Sequence, residues 1–325
     1  MAENKKKGDW GGAALAVGAV AALATVGLLT VTDYVLKLAI DRKQPAMPKG
    51  LMGRVNSPEG MPSNEEIARA KQWVLSQPQR TVHIRSRDGL RLVGHWLPAK
   101  NAKRTILMMH GWRSNWLSDF CMAVPFMLEN GCNLLMVEQR GQGASEGKYI
   151  GFGVLEQNDC LDWIHYLTDH LSPHMPIYLD GISMGATTVL MAAGHPLPSN
   201  VRGIIADCGF TSPYAIISCF MKTGLPKMRQ DLLPLLNVAV RRRAGYSFRG
   251  TSTVDALRDN TKPVLFVHGE ADTFVPMAMT LENYKACRAP KELLLVEGAG
   301  HGLSYLFDTE HYQAMLLRFF EKYDH

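Results

Sequence analysis

The chain has 325 residues, 46% of them hydrophobic, and its 35 Lys and Arg nearly balance 30 Asp and Glu for a formal net charge of +5. That is long enough for one large α/β domain or two small ones. The charge is mild and no long basic face is interleaved with aromatics, which excludes a nucleic-acid-binding reading.

The first informative stretch is Gly11 to Val31, 21 residues without a charge after Lys5-Lys6-Lys7. About 20 such residues span a bilayer as a helix. We expect an uncleaved, single-pass anchor in the cell membrane, prolonged by the amphipathic "YVLKLAI" (Tyr34 to Ile40). Ala22-Leu23-Ala24 also resembles a signal-peptide cleavage site, but the apolar run continues past it. Basic residues flank the run on both sides, so the positive-inside rule leaves the orientation open. Residues 1–40 are therefore expected to form tail and anchor, 41–75 a Pro- and Gly-rich linker with a short helix, and 76–325 the main domain.

From Arg80, "TVHIRSRDGLRLVGHWLPA" alternates apolar and polar residues around the turn "RDG" and predicts a hairpin. Short apolar runs then alternate with helical segments: "TILMMHG", "NLLMVEQRG", "PIYLDG", "VRGIIADCG", "KPVLFVHGEAD" and "KELLLVEGAGH" read as strands. Continuous apolar strands joined by helices predict a mostly parallel sheet covered on both faces. From about residue 210 to 260 no sheet strand is legible, and two helical stretches predict a cap inserted over the C-terminal ends of the strands. The six cysteines are scattered without a C-x-x-C pair, which argues against zinc or thioredoxin chemistry, though the spacing of Cys208 and Cys219 admits a disulfide. Arg241-Arg242-Arg243 reads first as a solvated face and second as a contact for an anionic surface.

Gly181-Ile182-Ser183-Met184-Gly185 is G-x-S-x-G between a predicted strand and a predicted helix. That context turns a common pentapeptide into a nucleophile-elbow signature, against the bland alternative of an ordinary turn. A serine nucleophile needs a base and an orienting acid, in the chain order Ser, Asp or Glu, His for this topology. Asp272 lies just past one downstream strand and His301 just past the last, so Ser183, Asp272 and His301 form the expected triad. Asp207 and Glu270 are the other candidates for the acid. The oxyanion donors are expected to be the backbone amides of Met184 and Trp112. His110 and His268, each in an "HG" after a strand, read as structural caps of strand ends.

With "HGW", "EQRGQGASEG", "GISMG", "HGEADTFVP" and "GAGHG" in order, residues from about Arg80 to Tyr323 resemble the serine hydrolases of the α/β-hydrolase superfamily. With its N-terminal apolar run the chain is similar to bacterial membrane-anchored members known as esterases or peptidase-like hydrolases. The resemblance implies the α/β-hydrolase fold with a helical cap and an enzyme that needs no cofactor and no metal. It would cleave a carboxylic ester, thioester or amide through an acyl-enzyme. The expected partners are a small-molecule acyl ester or lipid-like substrate and, through the N-terminal helix, the membrane. A serine peptidase or an acyltransferase is the alternative, and a non-catalytic binding module the more distant one. Many relatives read D-x-R-G-x-G where this chain has Glu138-Gln139-Arg140-Gly141-Gln142-Gly143, a departure expected to reshape the pocket rim.

Overall fold

The computed structural model describes residues 27–43, 45, 61–223 and 232–325. Eight strands form one sheet in the order β1-β2-β4-β3-β5-β6-β7-β8. They are β1 Arg80–Arg85, β2 Arg91–Leu97, β3 Arg104–Met109, β4 Cys132–Glu138, β5 Ile177–Ile182, β6 Val201–Asp207, β7 Val264–Gly269 and β8 Lys291–Val296. The predicted hairpin is β1–β2; β2 also pairs antiparallel with β4, and every other pairing is parallel.

Strand pleating divides the interior into two cores, because successive side chains point to opposite faces. Leu107 and Met109 of β3 enter one core with Trp163, Val189 and Leu190. Ile106 and Met108 enter the other with Phe120, Leu316 and Phe319. The helices are α1 (residues 27–39), α2 Asn64–Ser76, α3 Trp116–Phe120, α4 Val124–Glu129, α5 Glu156–Tyr166, α6 Met184–Ala192, α7 Pro213–Thr223, α8 Leu232–Ala244, α9 Thr253–Asp259, α10 Met277–Ala286, α11 Ser304–Phe307 and α12 Thr309–Tyr323. α2 starts on a capping box in which Ser63 and Glu66 satisfy each other's backbone N–H groups. Between Trp116 and Glu129 the chain forms two short helices, with Pro125 in the first turn of α4.

The stretch expected as a cap holds α7 and α8. Its last helix, α9, instead lies in the main layer: Leu257 joins the core cluster of Val189 and Leu190. Cys208 and Cys219 are not joined to each other, so the disulfide admitted by their spacing is not formed.

The expected membrane span, Gly11–Val31, lies outside the described residues as far as residue 26. Among the described residues no helix is long and apolar enough to cross a membrane. The amphipathic stretch after the apolar run docks on the domain: Leu36, Ala39 and Ile40 are buried in a cluster with Phe152, Met184, Phe210 and the α8 residues Leu233 and Leu236. The segment after α1 pairs edge-on, with Ile150 N–H donating to Ile40 O at 2.7 Å and Arg42 N–H to Lys148 O at 2.9 Å. What the sequence suggested as the beginning of a linker is thus bonded to the domain at Asp41 and Arg42.

Candidate active site

Ser183 occupies the turn from β5 into α6 with φ +57° and ψ −114°, a region that residues with a side chain rarely adopt. The surrounding packing holds it there. A Cβ on Gly185 would lie 1.8 Å from Met109 O, and one on Gly181 would lie 2.3 Å from the Gly185 carbonyl carbon. Both glycines of the motif are therefore demanded by the close approach of strand, turn and helix. Ser183 N–H donates to Asp207 O at 2.8 Å, and Ser183 O accepts from Thr187 N–H as α6 begins. The hydroxyl stands at the C-terminal edge of the sheet, in a residue only 6% exposed.

His301, in the loop after β8, places Nε2 2.9 Å from Ser183 Oγ. Its Nδ1 lies 2.7 Å from Asp272 Oδ2. A carboxylate only accepts, so Nδ1 carries the hydrogen and Nε2 is left to accept from the serine hydroxyl. Asp272, in the loop after β7, is fixed by its other oxygen, which accepts from Phe274 N–H at 2.8 Å and Val275 N–H at 2.9 Å. Burial opposes its ionisation, but the hydrogen bonds from His268 and His301 outweigh that and hold the carboxyl well below the usual carboxylate range. The structure thus brings the three expected residues into one hydrogen-bonded chain.

The other acids do not join it. Asp207 is buried at the end of β6, where Oδ1 accepts from Ser304 Oγ at 3.0 Å. Burial pushes its carboxyl up to about 6. Glu270 is exposed. His110 behaves as a strand-end brace: Nε2 accepts from Gln139 N–H at 3.2 Å, leaving Nδ1–H for Gly111 O at 2.8 Å. Its burial keeps it neutral by lowering its pKa.

In the loop after β3 the backbone amides can be accounted for one by one. Gly111 N–H goes to Asp119 Oδ2 at 2.7 Å, Arg113 N–H to Gln142 Oε1 at 2.7 Å, and Ser114 N–H to Gly111 O at 3.3 Å. Trp112 N–H has no partner among the described residues, nor has Met184 N–H at the first turn of α6. Gln142 of that loop thus borders the Trp112 turn, whereas Glu138, the residue that departs from the D-x-R-G-x-G pattern, pairs with His95 Nε2 at 2.7 Å. Ser183 faces a narrow, wholly apolar cavity lined by Trp112, Phe152, Phe210, Ile216, Phe220, Phe274 and Val275.

Two features were not legible in the sequence as functional. His268, read only as a strand cap, has Nε2 3.3 Å from Asp272 Oδ2 and 3.0 Å from Val275 O. Its position four residues before Asp272, at the end of the same strand, was the available signal. Cys208 lies within 4.8 Å of the Asp272 and His301 donor atoms, the one group of three potential metal ligands among the described residues. Two of those donors are already bonded to each other, and burial pushes the Cys208 thiol far up. The set is not arranged for a cation.

A family model described as alpha/beta hydrolase fold matches residues 104–231, the stretch from β3 through the elbow into the cap. The chain has the α/β-hydrolase fold. It is 28% identical over 245 residues to the uncharacterised protein YqkD of Bacillus subtilis, across 73% of its own length and 78% of that protein's. It is 28% identical over 254 residues to the alpha/beta hydrolase domain-containing protein WAV2 of Arabidopsis thaliana, across 74% and 78%. Its fold is that of an esterase from Pyrococcus furiosus, with a TM-score of 0.64 at 22% identity over 78% of this chain and 94% of that one.

Proposed function

We propose that this α/β hydrolase is a serine hydrolase that cleaves a carboxylic ester through an acyl-enzyme. The observation that carries the proposal is the hydrogen-bonded chain Ser183–His301–Asp272, built on a strained elbow.

Ser183 Oγ attacks the carbonyl carbon as its proton passes to His301 Nε2. Asp272 keeps the imidazole oriented and stabilises the imidazolium. The carbonyl oxygen becomes an oxyanion and takes the free amides of Met184 and Trp112, aided by the positive end of α6. As the tetrahedral intermediate collapses, the bond to the leaving oxygen breaks and His301 returns the proton to it. Water then repeats the sequence on the acyl-enzyme, and its proton ends on Ser183.

The lining of the cavity favours an uncharged acyl group. No charged side chain among the described residues lines it, so nothing there would receive a peptide terminus. A lipid-like ester fits the apolar lining and the uncharged run Gly11–Val31, which we propose anchors the chain in the cell membrane. The test is a panel of p-nitrophenyl esters from acetate to palmitate beside aminoacyl p-nitroanilides. Turnover of esters with little cleavage of anilides is expected; the reverse would replace the esterase reading with a peptidase.

A further inference from the structure

The loop that carries the Trp112 amide is tied to a distant part of the chain. The last carbonyls of a helix have no partner within it. At the end of α1 they are taken by that loop. Trp112 Nε1 donates to Ala39 O at 2.8 Å. Arg113 donates from Nε to Leu38 O at 3.1 Å and from Nη2 to the same carbonyl at 2.8 Å. Nη2 also donates to Asp41 O at 2.9 Å. A guanidinium at a helix C-terminus is favoured by the negative end of the helix dipole. Its planar fork engages Leu38 and Asp41 together, which a lysine ammonium does not reproduce.

Arg113 also has a strained backbone, φ +56°, and its N–H is held by Gln142 Oε1. Its guanidinium stacks over the Trp112 ring, 5.1 Å from the centroid. The residue next to the free amide is therefore pinned on both sides. α1 is itself clamped: Arg243 of cap helix α8 pairs with Asp33 at 2.6 Å and with both carboxylate oxygens of Asp41. Arg42 reaches the carbonyls of Gly143 and Ser145, at 2.6 and 2.5 Å. Leu36, Ala39 and Ile40 share a buried cluster with Met184, the residue of the second free amide.

We infer that the segment 27–43 completes the oxyanion hole, and that Arg113 is the positioning residue through which its docking fixes the Trp112 amide. This rests on the serine-hydrolase reading for its catalytic consequence. An oxyanion donor acts only if it is held where the developing charge will be, within a few tenths of an ångström. A six-residue loop between β3 and α3 does not hold an amide that firmly alone. The segment 27–43 supplies the missing acceptors at Leu38, Ala39 and Asp41.

The test uses the full chain with Arg113→Ala, Arg113→Lys and Arg243→Ala. Loss of one oxyanion donor costs about 100- to 1000-fold in kcat, so a mispositioned donor in Arg113→Ala is expected to cost ~10-fold or more. KM should stay within about threefold, because the oxyanion contact forms in the transition state. Affinity for an alkyl boronic acid, which adds to Ser183 Oγ as a tetrahedral mimic, should fall in step with kcat. Arg113→Lys should not restore either value, and Arg243→Ala should show a smaller loss of the same kind. A folded Arg113→Ala chain with unchanged kcat and boronate affinity, or with a change in KM alone, overturns the inference. If Arg113→Ala does not fold, Arg243→Ala decides by the same two readouts. Amide hydrogen exchange over residues 110–114 gives a readout independent of turnover: faster exchange in Arg113→Ala is expected, and unchanged exchange overturns the inference. A wild-type chain with no turnover and no boronate binding would sink the hydrolase reading instead, and exchange would still judge the positioning role.

Discussion

The carboxylate of Asp272 is shared by two histidines: Oδ2 lies 2.7 Å from His301 Nδ1 and 3.3 Å from His268 Nε2. His268 Nε2 faces only acceptors, so it carries a hydrogen and supports the ionised carboxylate. Its Nδ1 is held by Thr280 Oγ1 at 2.7 Å.

His268→Phe puts a slightly larger apolar ring there and removes both that donor and the partner of Thr280 Oγ1. We expect a loss of about 2 kcal/mol of stability, the range for a buried hydrogen bond to a charged group. kcat should fall with little change in KM. The sign of the pH effect follows from the lowered pKa of Asp272. Its stabilising contribution is present above the ordinary carboxylate range and is lost only as pH falls through the depressed value. Without the His268 donor the folded value lies higher, so the variant has less to lose and its loss is complete at a higher pH. Urea unfolding at pH 7 and at about pH 2 checks this: the gap between variant and wild type should narrow at the lower pH, and a constant gap would contradict it.

Gly185→Ala places a Cβ 1.8 Å from a β3 carbonyl oxygen. Backbone cannot yield as a side-chain tip does, so we expect a cost of about 3 kcal/mol or more. Gly300→Ala, where the new Cβ would meet only Leu303 Cδ1 at 3.5 Å, should change stability by less than about 1 kcal/mol. Equal thermal shifts for the two would contradict the close-approach argument.

Asp180 on β5 and Asp207 on β6 are both buried. Burial first, and the neighbouring Asp207 second, push Asp180 up to about 8. A carboxyl raised in the folded state contributes its stability below the unfolded pKa, and that contribution drains away as pH rises through the folded value. Stability attributable to Asp180 therefore falls from about pH 4 to about pH 8. Asp180→Asn should be more stable than wild type at pH 8 and nearly equal at pH 4. Denaturation midpoints at the two pH values test it; a variant less stable at both would refute it.

Much of this arrangement was legible in the sequence because it rests on local rules. The strand runs were apolar on both faces, the elbow required its glycines, and the acid and base fell just past strand ends. What escaped depended on contacts far apart in the chain. The docking of Leu36, Ala39 and Ile40 was hidden because an amphipathic helix that covers a domain has the same pattern as one leaving a membrane. The bond from His268 to Asp272 was hidden because an "HG" at a strand end carries no information on what the ring faces. The place of α9 in the main layer was hidden because its seven residues bury only Thr253 and Leu257, too short a stripe to read.

The most direct test of the proposed chemistry is labelling by a fluorophosphonate probe, comparing wild type with Ser183→Ala. Ser183 attacks phosphorus, the leaving group departs, and the serine stays covalently modified. Stoichiometric labelling of wild type, located to Ser183 by mass spectrometry and absent in Ser183→Ala, is the predicted result. Equal labelling of both chains, or none of a folded wild type, would contradict an activated serine at the elbow.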